Sequence, residues 1–260
     1  MRIGSDFTIK NIPSFGAKSY KIRKADDIQR KARSAFPFFS PSYAKLYYPC
    51  CKETKKGNII NANKTDELEV MRKDREYDKL PATIKQVIED TDRQRLANCG
   101  EASLIIMSAL LANGFPDSHR CSVILHTGIY DKQTGEQCFE IKFDLDHACV
   151  ISTMEKDSKS NKPYIVLDSW HGFADSMTGA KGRYIQYTNK EELDEAENVT
   201  IEEFELESGK PFNPEKYEYK SNIDFEIIDS PTKEDNKSIK KLCRSRYNQL
   251  IFDEFSSKKD

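Results

Sequence analysis

A thiol, an imidazole and a carboxylate that meet in space can open an amide bond. In this chain of 260 residues the best candidates for those parts are Cys99, His147 and Asp168. In such a set the imidazole takes the thiol proton, and the sulfur attacks the carbonyl carbon. The imidazolium then protonates the departing nitrogen, while the carboxylate fixes the ring's tautomer and orientation. Most free cysteines are inert packing, so position has to single out one of the seven. Cys99 lies in Asn98-Cys99-Gly100-Glu101, where Asn is a favoured helix N-cap and Glu three positions later can bond back to the cap. That places the thiol on the first turn of a helix, where amide N–H groups point outward and negative charge is favoured. Gly100 leaves space beside the sulfur, and the Cys99 amide is a candidate for half of an oxyanion hole. Gln94 is the first candidate for the second donor. Asn98 is the alternative, already engaged as a cap.

The elements that must position these groups follow from periodicity. Residues 99–113 are apolar nearly all round, as in a central buried helix, with Gly114 as C-cap and Pro116 beyond. Leu80-Pro81 opens a preceding helix to about Arg95, using Ile84, Val87, Ile88 and the stem of Arg95. Three strand-like runs follow at 121–130, 138–154 and 164–170, separated by polar turns, as in an antiparallel meander. In the second run Phe139, Ile141, Phe143, Leu145, His147, Cys149 and Ile151 share one parity, which points His147 toward the core side. The third run is apolar until Asp168, a carboxylate that needs a donor if buried. A hairpin in which 152 opposes 163 would set 147 directly across from 168 on one face.

Other roles compete for these residues. His147 alone fits a hydrogen-bonded core histidine. Asp168 alone fits a cap on the Ser169–Gly172 turn. Trp170, the only tryptophan, fits packing, and with Gly100 and His171 it is also a candidate to line a substrate cleft. His171 and then His126 rank behind His147 as bases. A metal site of His147, Cys149 and Cys99 matches no common zinc spacing, and no metal or other cofactor is expected.

Cys, His and Asp occur in this order: Asn-Cys-Gly-Glu-Ala opens a helix, Asp146-His147-Ala148-Cys149-Val150 lies on a strand, and Val166-Leu167-Asp168-Ser169-Trp170 lies on the next. The pattern resembles the papain-like/transglutaminase-like superfamily, above all its bacterial effector branch of cysteine proteases, glutamine deamidases and transglutaminases. Ser169 stands where that branch often has proline. The resemblance covers about residues 80–190. It implies an α+β fold, with a papain-like/transglutaminase-like core in which a central helix carrying the Cys packs on an antiparallel sheet carrying His and Asp. It further implies Cys99 as nucleophile, His147 as general base and acid, and Asp168 as orienting acid. The implied activity is attack on a glutamine side chain of a target protein. The alternatives are cleavage of a peptide bond by the same triad, or a non-enzymatic binding protein on the same scaffold. An acyltransferase using a small-molecule donor is less favoured.

The remainder of the chain reads as an N-terminal arm (1–79), the core (80–190) and an acidic C-terminal extension (191–260). The arm contains a short helix at 25–34, an aromatic patch from Phe36 to Tyr48 and a charged helical stretch at 64–79. Residues 171–188 read as a loop with a short strand at 183–187. Residues 189–235 read as acidic and proline-punctuated, with a strand at 223–228, followed by a helix at 236–252. The net charge of −2 is uneven, with 18 Lys and Arg against 10 Asp and Glu in residues 1–80 but 12 against 19 in residues 189–260. The basic arm is therefore a candidate dock for an acidic partner. No nucleic-acid motif occurs. No apolar run is long enough to span a membrane, and Met1–Phe7 has no apolar signal core. Seven cysteines without a Cys-x-x-Cys pair suit a reducing, cytoplasm-like setting. Secretion into a host cell by a route without a cleavable signal peptide stays open.

Overall fold

A computed structural model describes residues 19–35, 79–94, 96–154 and 164–243. The aromatic patch, Cys50-Cys51, most of the 64–79 stretch, Arg95, the 155–163 turn and the end of the C-terminal helix lie outside the described residues. The elements in chain order are α1 (Tyr20–Ala35), α2 (Leu80–Gln94), α3 (Cys99–Ala112), β1 (Asp117–Asp131), β2 (Gln137–Thr153), β3 (Ile165–Asp168), β4 (Phe173–Ser176), α4 (Met177–Tyr187), α5 (Lys190–Ser208), β5 (Tyr217–Asp229) and α6 (233–243). The fold is α+β. The five strands among the described residues form one antiparallel sheet in the order β4-β3-β2-β1-β5. No helix among the described residues is long and apolar enough to cross a membrane.

The central helix forms as its sequence dictates. Every residue of α3 from Glu101 to Leu111 is buried, so its apolar circumference is matched by neighbours on all sides. Glu101 accepts from the Asn98 backbone N–H at 3.0 Å, closing the reciprocal cap the sequence predicts. Gly114 takes φ +91° just past the last turn, a conformation glycine adopts without steric cost. Leu96 and Ala97 are buried as well, which anchors the entry to Cys99.

The sheet is covered on both faces. Val150, Ile165, Leu167 and Ala174 pack with α1, α2, α3 and α6 in one cluster. The opposite parity, Cys121, Val123, Leu125, Cys149, Ile151, Val166 and Phe173, packs with α4 and α5 in another. His147 and Asp168 belong to this second parity. They therefore face α4 and α5, rather than the face on which the Cys-bearing helix lies. Two covered faces explain why β3 is apolar on both parities.

Three sequence expectations change. Residues 183–187 are not a strand: β4 is followed directly by α4. Residues 190–208 form a long helix, α5, within the expected acidic, proline-punctuated stretch. The β2–β3 hairpin pairs Val150 with Leu167 and Ser152 with Ile165, two residues away from the anticipated register. A two-residue shift preserves the face, so 147 and 168 remain on one side as diagonal neighbours.

Leu110 is fully buried, so Leu110→Ala should cost about 2–5 kcal/mol in urea denaturation. A Cβ at Gly100 would meet only a guanidinium nitrogen of Arg120, at 3.7 Å. Gly100→Ala should therefore leave stability unchanged or raise it by up to about 1 kcal/mol.

Candidate active site

Asp168 ends β3 with a side chain wholly out of solvent. An isolated carboxylate there would be very costly, and its oxygens are surrounded by donors. Oδ2 accepts from His147 Nε2 at 2.7 Å, His171 Nδ1 at 2.7 Å and the Tyr184 hydroxyl at 2.8 Å. Oδ1 accepts from the backbone N–H groups of Trp170 at 2.8 Å and His171 at 2.9 Å. The turn-capping and histidine-orienting roles that competed in the sequence thus coexist, one on each oxygen. Gln29 of α1 donates to the main-chain carbonyls of Asp168, at 3.4 Å, and Phe173, at 3.2 Å. The N-terminal helix thereby braces the strand end.

Charge follows from this arrangement. Burial pushes the Asp168 carboxyl up, but hydrogen bonds from His147 and His171 outweigh it and hold the group well below the usual carboxylate range. For His147, burial opposes the proton. Hydrogen bonds with Asp168 and with Cys99 outweigh it and raise the imidazole to about 10. Burial pushes the Tyr184 hydroxyl far above its normal value, so it stays a donor. With Nε2 committed to Asp168, Nδ1 is the ring nitrogen left for the sulfur.

Cys99 reaches this group because of an irregularity in β2. Pairing with β1 jumps from Ser122↔Ala148 to Ile124↔Asp144, so β2 carries two extra residues there. Asp146, in this bulge, takes φ +49°, a left-handed conformation that Asp and Asn tolerate better than most residues. β3 pairs only with residues 150–152. The N-terminus of α3 comes in against the stretch of β2 that precedes them, and the Cys99 thiol donates to the Asp146 carbonyl at 3.9 Å. The helix that packs on one face of the sheet thus delivers its sulfur to a histidine on the other.

Cys99 and His147 line an open cleft of about 670 Å³, and Asp168 lies buried behind His147. Of the remaining sequence candidates, Asn98, Trp170 and His171 line it, whereas Gln94 and Gly100 do not. Gln94 is exposed at the end of α2. His126 is bonded to Glu140 at 2.9 Å and lies away from the cleft. His171 is second to His147 in another sense: it shares Asp168, and its ring stacks on Tyr187 with centroids 4.2 Å apart. Sequence reasoning missed Tyr184, Tyr187 and the α5 wall formed by Glu192, Glu195, Ala196 and Val199. The signals were present. Ala180 and Tyr184 are four apart, and Asn189-x-x-Glu192 is a capping box that forms here, with Glu192 N–H donating to Asn189 Oδ1 at 2.9 Å. Ala196, Thr200 and Phe204 follow at helical spacing.

Among the described residues, His147, Asp168 and His171 also form a group whose ligand atoms lie within 4.8 Å of one another. Their 2.7 Å separations are those of direct hydrogen bonds. An ion would have to displace those bonds to enter. Among the described cysteines, burial raises Cys121 to about 12, Cys149 well above normal and Cys243 to about 11. Cys138 is exposed and Cys99 is partly exposed. Comparison with protein-family models, curated proteins and solved structures finds no match to this chain.

The pairing of His147 and Asp168 makes stability depend on pH in two windows. The His147 contribution is full below its ordinary value of 6.5 and is lost as pH rises toward about 10. The Asp168 contribution is full above its ordinary 3.8 and is lost on acidification below it. In urea titrations the stability advantage of the wild type over His147→Gln should therefore shrink between pH 6.5 and 10. Tyr184→Phe, which removes one donor from the buried carboxylate, should cost about 1.5–3 kcal/mol in the same measurement.

Proposed function

We propose that the protein is a thiol-dependent enzyme that attacks an amide carbonyl, with Cys99 as nucleophile, His147 as base and acid, and Asp168 as orienting carboxylate. The observation that carries this reading is that Cys99 and His147 line one open cleft, with His147 Nε2 bonded at 2.7 Å to the buried Asp168 behind it. The preferred substrate is a glutamine side chain of a target protein. The papain-like/transglutaminase-like core suggested by the motif order belongs to the same proposal.

The reaction proceeds in two halves. The Cys99 sulfur forms a bond to the amide carbon while the carbonyl π electrons move to oxygen. In this proposal the Cys99 amide donates to that oxyanion, a role supported by its position at the start of α3. Collapse breaks the C–N bond, His147 gives its proton to the nitrogen, and ammonia leaves. Water or an amine then attacks the thioester as His147 removes its proton. The C–S bond breaks, releasing the acid or the new amide and restoring the thiolate.

Two measurements test this. Iodoacetamide at pH 6 should alkylate Cys99 ahead of exposed Cys138, and Cys99→Ala should lose all catalysis that depends on the thiol. Equal labelling of the two cysteines counts against the enzyme. Intact-mass analysis of a glutamine-containing protein substrate then separates the chemistries. Deamidation adds about one mass unit, amine transfer adds the amine less ammonia, and peptide-bond cleavage splits the chain.

A further inference from the structure

Apart from His147 and His171, which are both bonded to the buried Asp168 carboxylate, the charged side chains on the cleft walls are acidic. Asp144 borders the β2 bulge and Asp146 lies within it, its carbonyl against the Cys99 thiol, while Glu192 and Glu195 project from α5. Among the described residues no Lys or Arg lines the cleft. No ion pair joins these four carboxylates to a described cation, although elsewhere on the surface carboxylates are paired, such as Asp224 with Lys181 and Glu226 with Lys142. Glu192, Glu195, Ala196 and Val199 stand three, four and seven apart, so one stripe of α5 faces the site.

Aromatic rings lie alongside the acids. Trp170 and Tyr187 line the same cleft, and Tyr187 is 44% exposed. Carboxylates and exposed aromatic faces both attract cations, and the effect is stronger where water is partly excluded. Such a cleft also repels an acidic segment.

We infer that the cleft selects a cationic substrate segment, one in which the reactive amide is flanked by Lys or Arg. This rests on the reading of Cys99, His147 and Asp168 as the reacting groups, because it assigns the flanking walls to the substrate. The carboxylates of Asp144 and Asp146 receive a cationic side chain near the sulfur. Those of Glu192 and Glu195 receive one on the opposite wall. Tyr187 and Trp170 pack against the aliphatic stems and ammonium or guanidinium heads.

Binding can be read without turnover. Trp170 is the only tryptophan and lies in the cleft, so its fluorescence in Cys99→Ala reports occupancy. Three blocked peptides centred on glutamine are titrated, with two flanking Lys, Ser or Glu on each side. The Lys peptide should bind about tenfold or more tighter than the Ser peptide at low salt. The Glu peptide should bind weakest, and 0.5 M NaCl should compress the series. Glu192→Gln/Glu195→Gln, which retains a residue able to close the α5 cap, should weaken the Lys peptide about three- to tenfold. It should leave the Ser peptide within about twofold. Asp146→Asn, which tolerates the same left-handed backbone, provides an independent variant with the same expected direction. Equal affinity across the series, or no binding of the Lys peptide at millimolar concentration, overturns the inference. Adding the peptides to the wild type separates the two readings. Equal conversion of all three retains the enzyme and removes the charge selection. Tight binding of the Lys peptide without conversion does the reverse.

Discussion

One buried carboxylate constrains the architecture around the cleft. Asp168 sits at the end of a four-residue strand with no access to water, and a charge in that position is tolerable only if its oxygens are saturated. Five donors do this, and they come from β2, from the turn after β3 and from α4. Each of those elements is thereby tied to the strand end. The imidazole of His147 has its orientation set by the same bond that balances the carboxylate. Fixing the tautomer of a base and satisfying a buried acid are one interaction here.

The second constraint is geometric. A helix packed on one face of a sheet cannot ordinarily present its terminus to a side chain on the other face. Three features make it possible. β3 is short and pairs with only three residues of β2. The β2 bulge adds two residues and turns Asp146 into a left-handed conformation. The α3 N-terminus, held by the Asn98 and Glu101 cap, then meets the strand there. Bulges next to functional sites commonly re-aim a side chain, and this one sets both the histidine and the carbonyl that the thiol contacts.

Burial also sorts the thiols. Cys121 and Cys149 face each other across β1 and β2 within the sheet's packed face, and Cys243 is enclosed by α3 with its sulfur on the Ser108 carbonyl at 3.6 Å. Desolvation keeps such groups protonated. Cys99 differs in burial, because it opens its helix and is partly exposed rather than filling the interior. The surrounding rings of Trp170, His171, Tyr184 and Phe173 supply the apolar setting in which the Asp168 bonds are strongest.

The central helix, its cap, the long alternating strand and the need of Asp168 for a partner are all legible in the amino-acid order. These are local properties: an Asn and a Glu three apart, an apolar circumference, a period of two, a charge ending an apolar run. The sequence also held the signs of α5, in the Asn189–Glu192 box and the spacing of Ala196, Thr200 and Phe204, although the acidic composition obscured them. Which face of the sheet meets which helix is settled by the three-dimensional packing, since alternation gives the parity of a strand but not the layer that covers it. That packing alone set the hairpin register, because a polar turn's length does not fix how many of its residues pair. It also brought His171, Tyr184 and Gln29 to one strand end, since a buried carboxylate draws donors from whichever segments the fold packs nearest, however distant they are along the chain.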